Sequence, residues 1–479
     1  MKGVSFDLAD FSVSYLRKLG AEFSEARIES YVSNGVVVKN GSPELVEFDE
    51  SSGLGVKFLV NGAFGFFSTD SDDKSVIRMQ LEKSFRKAKS ASRAAIEKIK
   101  LSDEIPVKAR DFIKPKINPS DISPERKINE IKEIEKCLKE IKAKISSTYF
   151  SLSDVVTKKY FVNSNGARIE SEMPTMNCYY FLTMDINGKF VQRYWQHGSV
   201  KGWEAMKEWN LEKTLVESAR KLIENETKGV KAPKGKIDVI TGSEVTGIIA
   251  HESGGHPYEA DRILGREAAQ AGESFVSKDF AGTKMGKEVV NVVDDPTIAA
   301  GYGYYKYDDE GIKARRKYLI KNGKVLEFMH NRETAGKIGI KSNASARASS
   351  YNREPIIRMS NTFFLPGKQK FDELVKGIKK GIYIKNFNEW NIDDTRLNQK
   401  YVGSECYLIE NGKITKPVKS PIIEMNTFRL YSSIDAVSKD RFELHAATCG
   451  KGEPMQGMPV MMGGSCLRIR NIRLGNHQT

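Results

Sequence analysis

Cysteine is scarce in this chain: five in 479 residues, an odd count too low for a disulfide scaffold. No apolar run nears the roughly 18 residues that a membrane-crossing helix needs, which excludes such a span. The opening segment, MKGVSFDLADFSVSYLRKLG, lacks the apolar core of a signal peptide, so a cytoplasmic location is expected. Histidine is rare too, at six, and any clustering of it therefore carries information. What is present is ordinary for a globular protein: 39% hydrophobic and 29% charged residues, in a length that suits about two or three domains. Lys and Arg (76) outnumber Asp and Glu (62), for a net charge of +14. That balance permits a nucleic-acid partner, but no helix-turn-helix, RNP or zinc-finger spacing accompanies it, so none is expected.

Periodicity divides the chain. Leu8, Phe11, Tyr15, Leu16 and Leu19 fall near helical spacing, and Gly20 suits a stop. Short β-rich runs follow, punctuated by Asn34-Gly35, Asn40-Gly41 and Asn61-Gly62. Asn-Gly is a strong hairpin signal because type I′ turns need φ > 0 at both central residues. A helix is expected over 75–99, with Ile77, Leu81, Phe85 and Ala88 on its inner stripe. Ser123-Pro124 opens another, Ser as the cap and Pro at the first helical position. Strands return over 147–200, with turns at Asn165-Gly166 and Asn187-Gly188, and a helix follows over 204–226.

The basic segment KGVKAPKGK reads as a linker. It separates an N-terminal α+β domain, residues 1–230, from a C-terminal domain, residues 231–479. The second begins with the strand KIDVITG and a helix from Ser243. It continues as short strands, with turns at Asn322-Gly323 and Asn411-Gly412 and one helix near 370–380. The fold class is α+β: N-terminal helices on antiparallel sheet, then a β-rich domain.

One segment stands apart: His251-Glu252-Ser253-Gly254-Gly255-His256. In so histidine-poor a chain this triplet is expected by chance roughly 0.01 times. Histidines four apart share one face of an α-helix and can reach one metal ion. Five apart, an undistorted helix turns the second away by about 140°. Both converge only if the helix widens into a π-bulge or breaks. Gly254-Gly255 makes such a distortion easy, and Pro257 favours ending the helix there. Glu252 is the candidate general base for metal-assisted hydrolysis. Two histidines do not complete a catalytic zinc site, which takes three protein ligands. Glu259, Asp261 and the remote Cys449 are open as the third; Lys451 nearby would favour a thiolate at Cys449.

Further segments join this motif in order: Asp308-Asp-Glu-Gly311, Arg347-Ala-Ser-Ser-Tyr351, Arg358-Met-Ser-Asn361-Thr362, Leu365-Pro-Gly367, Ser404 to Lys413, and Thr448-Cys449-Gly450-Lys451-Gly452. With them the chain from about Arg27 to Pro459 resembles the TldD branch of the TldD/PmbA (modulator of DNA gyrase) family of metalloproteases. The resemblance implies Zn2+ held by His251, His256 and Cys449, with Glu252 as base. It also implies a peptide or unfolded polypeptide as substrate, and a homodimer or a heterodimer with a PmbA-like paralogue. The family's other branch lacks the motif and serves as a non-catalytic partner; this chain keeps all four residues and so resembles the catalytic subunit. A scaffold subunit with a vestigial motif is the alternative.

By the same resemblance Asp308-Asp309-Glu310 lines the cleft, although it lacks the ligand spacing of a Ca2+ loop. Arg358 and Asn361 are candidates for binding a peptide backbone or for structural hydrogen bonds. His197, His330, His445 and His477 lack partners at ligand spacing, and Cys137, Cys178, Cys406 and Cys466 read as core residues.

Overall fold

The computed structural model describes residues 5–267 and 273–475. Helix α1 (Phe6–Leu19) is capped by Ser5 and ends where Gly20 turns left-handed, φ 94°. Strands β1 (Phe23–Lys39), β2 (Ser42–Val60) and β3 (Ala63–Thr69) follow, then α2 (Lys74–Ala94), β4 (Lys108–Phe112) and α3 (Pro124–Lys136). Next come β5 (Lys144–Asn163), β6 (Arg168–Ile186), β7 (Lys189–Ser199), α4 (Glu204–Trp209) and α5 (Leu211–Lys228). The strands make one sheet ordered β3-β2-β1-β5-β6-β4, with β7 also on β6. Only β4 runs parallel to its neighbour. Leu16, Ile77 and Leu81 of α1 and α2 pack on Leu54, Val56 and Phe58. Ile128, Ile131 and Ile134 of α3, with Leu215 of α5, pack on Val38, Phe150 and Leu152.

Local chemistry explains most turns and caps. Asn40-Gly41, Asn61-Gly62, Asn187-Gly188, Asn322-Gly323 and Asn411-Gly412 hold φ between 47° and 82° at both residues, as type I′ requires. Ser123 Oγ accepts from Arg126 N at 3.3 Å, with Pro124 opening α3. Asn34-Gly35 does not turn. It lies inside β1, paired to Phe48 and Glu47 of β2 and to Asp154 and Ser153 of β5. The turn at Asn40-Gly41 sets the register, and strands on both sides hold Asn34 extended.

The helix expected over 75–99 stops at Ala94, because Ala95 is extended and Ile99 N bonds back to Gly62 O at 2.9 Å. The helix over 204–226 is split by Asn210, left-handed at φ 47°. Short helices at Arg332–Ile338 and Thr427–Ser433 went unread: each is about two turns long, opened by the caps Asn331 and Asn426. Cys137, just after α3, is half-buried and packs against the core on that face of the sheet. No helix among the described residues is long and apolar enough to cross a membrane.

From Val230 onward the strands build two larger sheets and a two-stranded ladder. The ten-stranded sheet holds β8 (Val230–Lys231) and β9 (Lys236–Thr241), the latter between strands Lys380–Ile384 and Leu467–Gly475. The six-stranded sheet ends in an antiparallel pair, Gln456–Gly464 and then Glu443–Lys451 at the edge. Helix α6 (Ser243–Gly254) leaves β9 and is buried from Glu244 to Gly254. Its Val245, Ile248 and Ile249 join one core with Val292, Phe364, Val460 and Met462 of the six-stranded sheet, and with Val239, Ile382 and Leu467 of the ten-stranded one. α6 is enclosed on all sides, so its polar Glu244, Thr246, His251, Glu252 and Ser253 are buried along with its apolar residues.

α6 meets the backbone of the six-stranded sheet at Gly247, where a Cβ would lie 2.7 Å from Gly463 N and 2.9 Å from its Cα. Backbone cannot move aside as a side chain can. Gly247→Ala is therefore expected to lower the unfolding free energy by about 1–2 kcal/mol, overpacking outweighing alanine's better helix propensity. Denaturant unfolding checks this; a stabilised variant would mean that α6 has room to spare.

Candidate metal centre

Helix α6 solves the spacing problem by stopping. It is regular through Gly254, and Gly255 (φ −108°, ψ −76°) then turns the chain into a single 3-10 turn, His256–Tyr258. A Cβ on Gly255 would fall 1.9 Å from Met359 Sδ and 2.7 Å from His251 O, so glycine is required there. The break carries the second imidazole back beside the first: the ring centroids of His251 and His256 are 4.9 Å apart at 84°. Cys449 arrives from the edge strand, its Sγ 3.4 Å from His256 Nε2. One possible ligand atom from each of His251, His256 and Cys449 lies within 4.8 Å of the others. All three side chains are buried, as is Glu252, the residue after His251.

The other two candidates for a third ligand point elsewhere. Glu259 Oε2 accepts hydrogen bonds from His256 Nδ1 at 2.9 Å and from Arg262 Nε at 3.0 Å. Asp261 receives Lys451 Nζ at 2.7 and 2.8 Å, and that ammonium also lies 3.3 Å from Glu259. Lys451 thus does not serve Cys449 electrostatically, although strand alternation turns both inward. The histidines do. Burial pushes the Cys449 thiol up, but His256 and His251 outweigh it and hold the thiol well below its usual range. Burial likewise opposes charge on His256, and Cys449 and Glu259 outweigh it, raising the imidazole to about 9. Burial alone drives Cys178 and, with smaller contributions from its neighbours, Cys466 up to about 12, so these stay protonated thiols.

These donors fit a transition-metal ion. Two imidazoles and a thiolate suit zinc-like ions, and the Glu259 bond fixes the tautomer that leaves His256 Nε2 free toward Cys449. His251 Nδ1 is buried with no hydrogen-bond partner.

Other candidates turn out structural. Arg358 is buried and donates to the carbonyls of Gln456 and Cys449, so it holds the backbone of the Cys449 strand. Asn361 bridges Asp295 O and Gly303 N. Asp308 accepts backbone N–H groups from Glu310, Ile312 and Ala346, Asp309 pairs with Lys159, and Glu310 accepts from Arg332 N. These acids are spent on the fold, joining it to the first sheet. His197 sits beside Trp195 and Trp209, His330 bonds Thr334 and His445 bonds Ser243. His477 lies outside the described residues. The residue that sequence reasoning missed is Arg396, whose Nε is 3.7 Å from Glu252 Oε2. It comes from the turn between strands Phe387–Ile392 and Asn398–Gly403, and no local motif marks it.

The chain belongs to the PmbA/TldA metallopeptidase family. Residues 24–95 match its domain 1, residues 117–225 its central domain and residues 234–476 its C-terminal domain. Among similar proteins, a metalloprotease of Methanocaldococcus jannaschii is 33% identical over 451 residues, covering 93% of this chain and 96% of that one. The zinc metalloprotease TldD homolog of Saccharolobus solfataricus is 25% identical over 467 residues, 97% of this chain and 99% of that one. Among solved structures, a putative modulator of DNA gyrase from Thermotoga maritima shares the fold with TM-score 0.76 at 18% identity, covering 98% of this chain and 99% of that one. TldE from Thermococcus kodakarensis does so at 0.73 and 16%, over 98% and 99%.

If Glu259 orients His256, Glu259→Gln should weaken metal binding about 10- to 100-fold in a chain that stays folded. Competition against a chelator measures it, and unchanged affinity detaches Glu259 from the site.

Proposed function

We propose that this chain is a zinc-dependent peptidase that hydrolyses peptide bonds in small peptides or unfolded segments of the cytoplasm. In this reading His251, His256 and Cys449 hold the zinc and Glu252 is the general base. One observation carries it: two imidazoles and the chain's one low-lying thiol converge, and Glu252, the residue after the first histidine, is buried. The zinc metalloprotease among the relatives supports the choice of metal.

When bound, zinc supplies Lewis acidity, drawing electron density from a carbonyl oxygen and making water more acidic. The remaining work falls to the chain. Glu252 takes a proton from water as the water oxygen bonds to the carbonyl carbon. It then gives that proton to the amine nitrogen as the C–N bond breaks. Burial keeps bulk water out, where it would otherwise weaken these charges. It also limits the substrate: His251, Glu252, His256 and Cys449 are 5%, 8%, 3% and 7% exposed. An extended segment can bring a peptide bond to so recessed a site, and the surface of a folded protein cannot. Family resemblance supports assembly with a second copy or a PmbA-like paralogue, which light scattering of the purified chain tests.

Metal analysis together with peptide cleavage tests the whole reading. Glu252→Ala should retain zinc and lose about 10²- to 10⁴-fold in turnover, because only proton transfer is removed. His251→Ala and Cys449→Ser should fold yet bind little zinc, whereas Cys466→Ser keeps it. Full zinc occupancy in Cys449→Ser would falsify the ligand set.

A further inference from the structure

Glu252 and Arg396 form an unusual pair. The 3.7 Å between Oε2 and Nε is beyond hydrogen-bond reach, and each of these buried atoms has no hydrogen-bond partner. Arg396 Nη1 donates to Asp393 O at 3.4 Å, but facing atoms of opposite charge set largely out of water with no partner are costly, so their persistence calls for a cause outside stability.

The surrounding structure imposes the pair. Arg396 has a left-handed backbone, φ 67°, unfavourable for a residue with a side chain. Its turn is fixed by Asp393, whose carboxylate accepts from Leu397 N at 2.7 Å, Asn398 N at 3.0 Å and Asn398 Nδ2 at 2.7 Å. Thr427 Oγ1 donates to Arg396 O at 2.9 Å, tying the turn to the helix Thr427–Ser433. The strand leaving the turn is bonded to α6 itself: Ser253 Oγ and Tyr401 OH both donate to Gln399 Oε1. Ser253 is the residue after Glu252. Through Ser253 the strand that leaves the turn is tied to the helix that carries the base.

Resting on the peptidase reading, we propose that Arg396 is the positioning residue for Glu252. Its guanidinium fixes the rotation of the carboxylate, so that one oxygen stays turned to Arg396 and the other takes the proton from water and returns it to the amine. Arg396 does so without touching the substrate. Glu252 otherwise has nothing on Oε2 to hold its rotamer.

Two arms on the full chain test this. The first needs no catalysis: thermal unfolding of the zinc-loaded and metal-free forms of the wild type, Arg396→Gln, Glu252→Gln and the double variant. The two single shifts in Tm should fail to add in the double variant, as residues in direct interaction do. Additive shifts overturn the pairing. The second arm follows hydrolysis of an unstructured peptide. Arg396→Gln should lower kcat about 10- to 100-fold with KM within about twofold, since misplacing a reacting group costs on that order. Zinc content should be unchanged, and Arg396→Lys should recover part of the loss. A raised KM at unchanged kcat, or loss of zinc, overturns the positioning role. A zinc-loaded wild type that cleaves nothing counts against the peptidase reading, while the unfolding cycle still decides the pair.

Discussion

An α-helix advances 100° per residue, so side chains five apart leave it on widely separated faces. His251, His256 and Cys449 come together only because α6 ends between its two histidines. Gly255 admits the bend because Met359 and the His251 carbonyl occupy the space a side chain would need. The core holds α6 from every side, with Gly247 pressed onto Gly463, so the break falls at one fixed place. A looser helix would let His256 swing, and the thiol would have nothing constant to meet.

Charge near the break is balanced in two shells. Inside, the Cys449 thiol faces two imidazoles that hold it well below its usual range. Outside, Glu259 and Asp261 are met by Lys451 and Arg262. Lys451 is buried, and its Nζ also donates to Ile357 O at 2.8 Å. Burying that many ions is unfavourable unless each finds partners, and here the same contacts that satisfy them hold His256 in one orientation. Cys449 and Lys451 belong to one strand. Pulling on either shell therefore strains the other.

What the sequence revealed depended on whether the signal was local. Asn-Gly turns, the Ser123 cap and the His-Glu-x-x-x-His spacing are written in adjacent residues, and even the need for a broken helix could be read from Gly254-Gly255 and Pro257. Asn34-Gly35 misled because pairing on both sides of β1 overrode a local preference. Lys451 was assigned to the thiol, its neighbour in sequence, although its partners Asp261 and Glu259 come from a distant segment. Arg396 left no trace at all: a lone arginine in a turn acquires meaning only when the fold sets it beside Glu252.

The direction of α6 has an electrical consequence. Peptide dipoles along a helix sum to a partial negative charge at the carboxyl end, equivalent to about half an elementary charge. That end lies at His251 and Gly254, while the amino end at Ser243 opens into a cavity of 1010 Å³. The helix thus offers a standing preference for a cation where the histidines gather, of about 0.3–1 kcal/mol. A chain that set the same two histidines at the opposite end of a helix would have to overcome that bias before binding any metal.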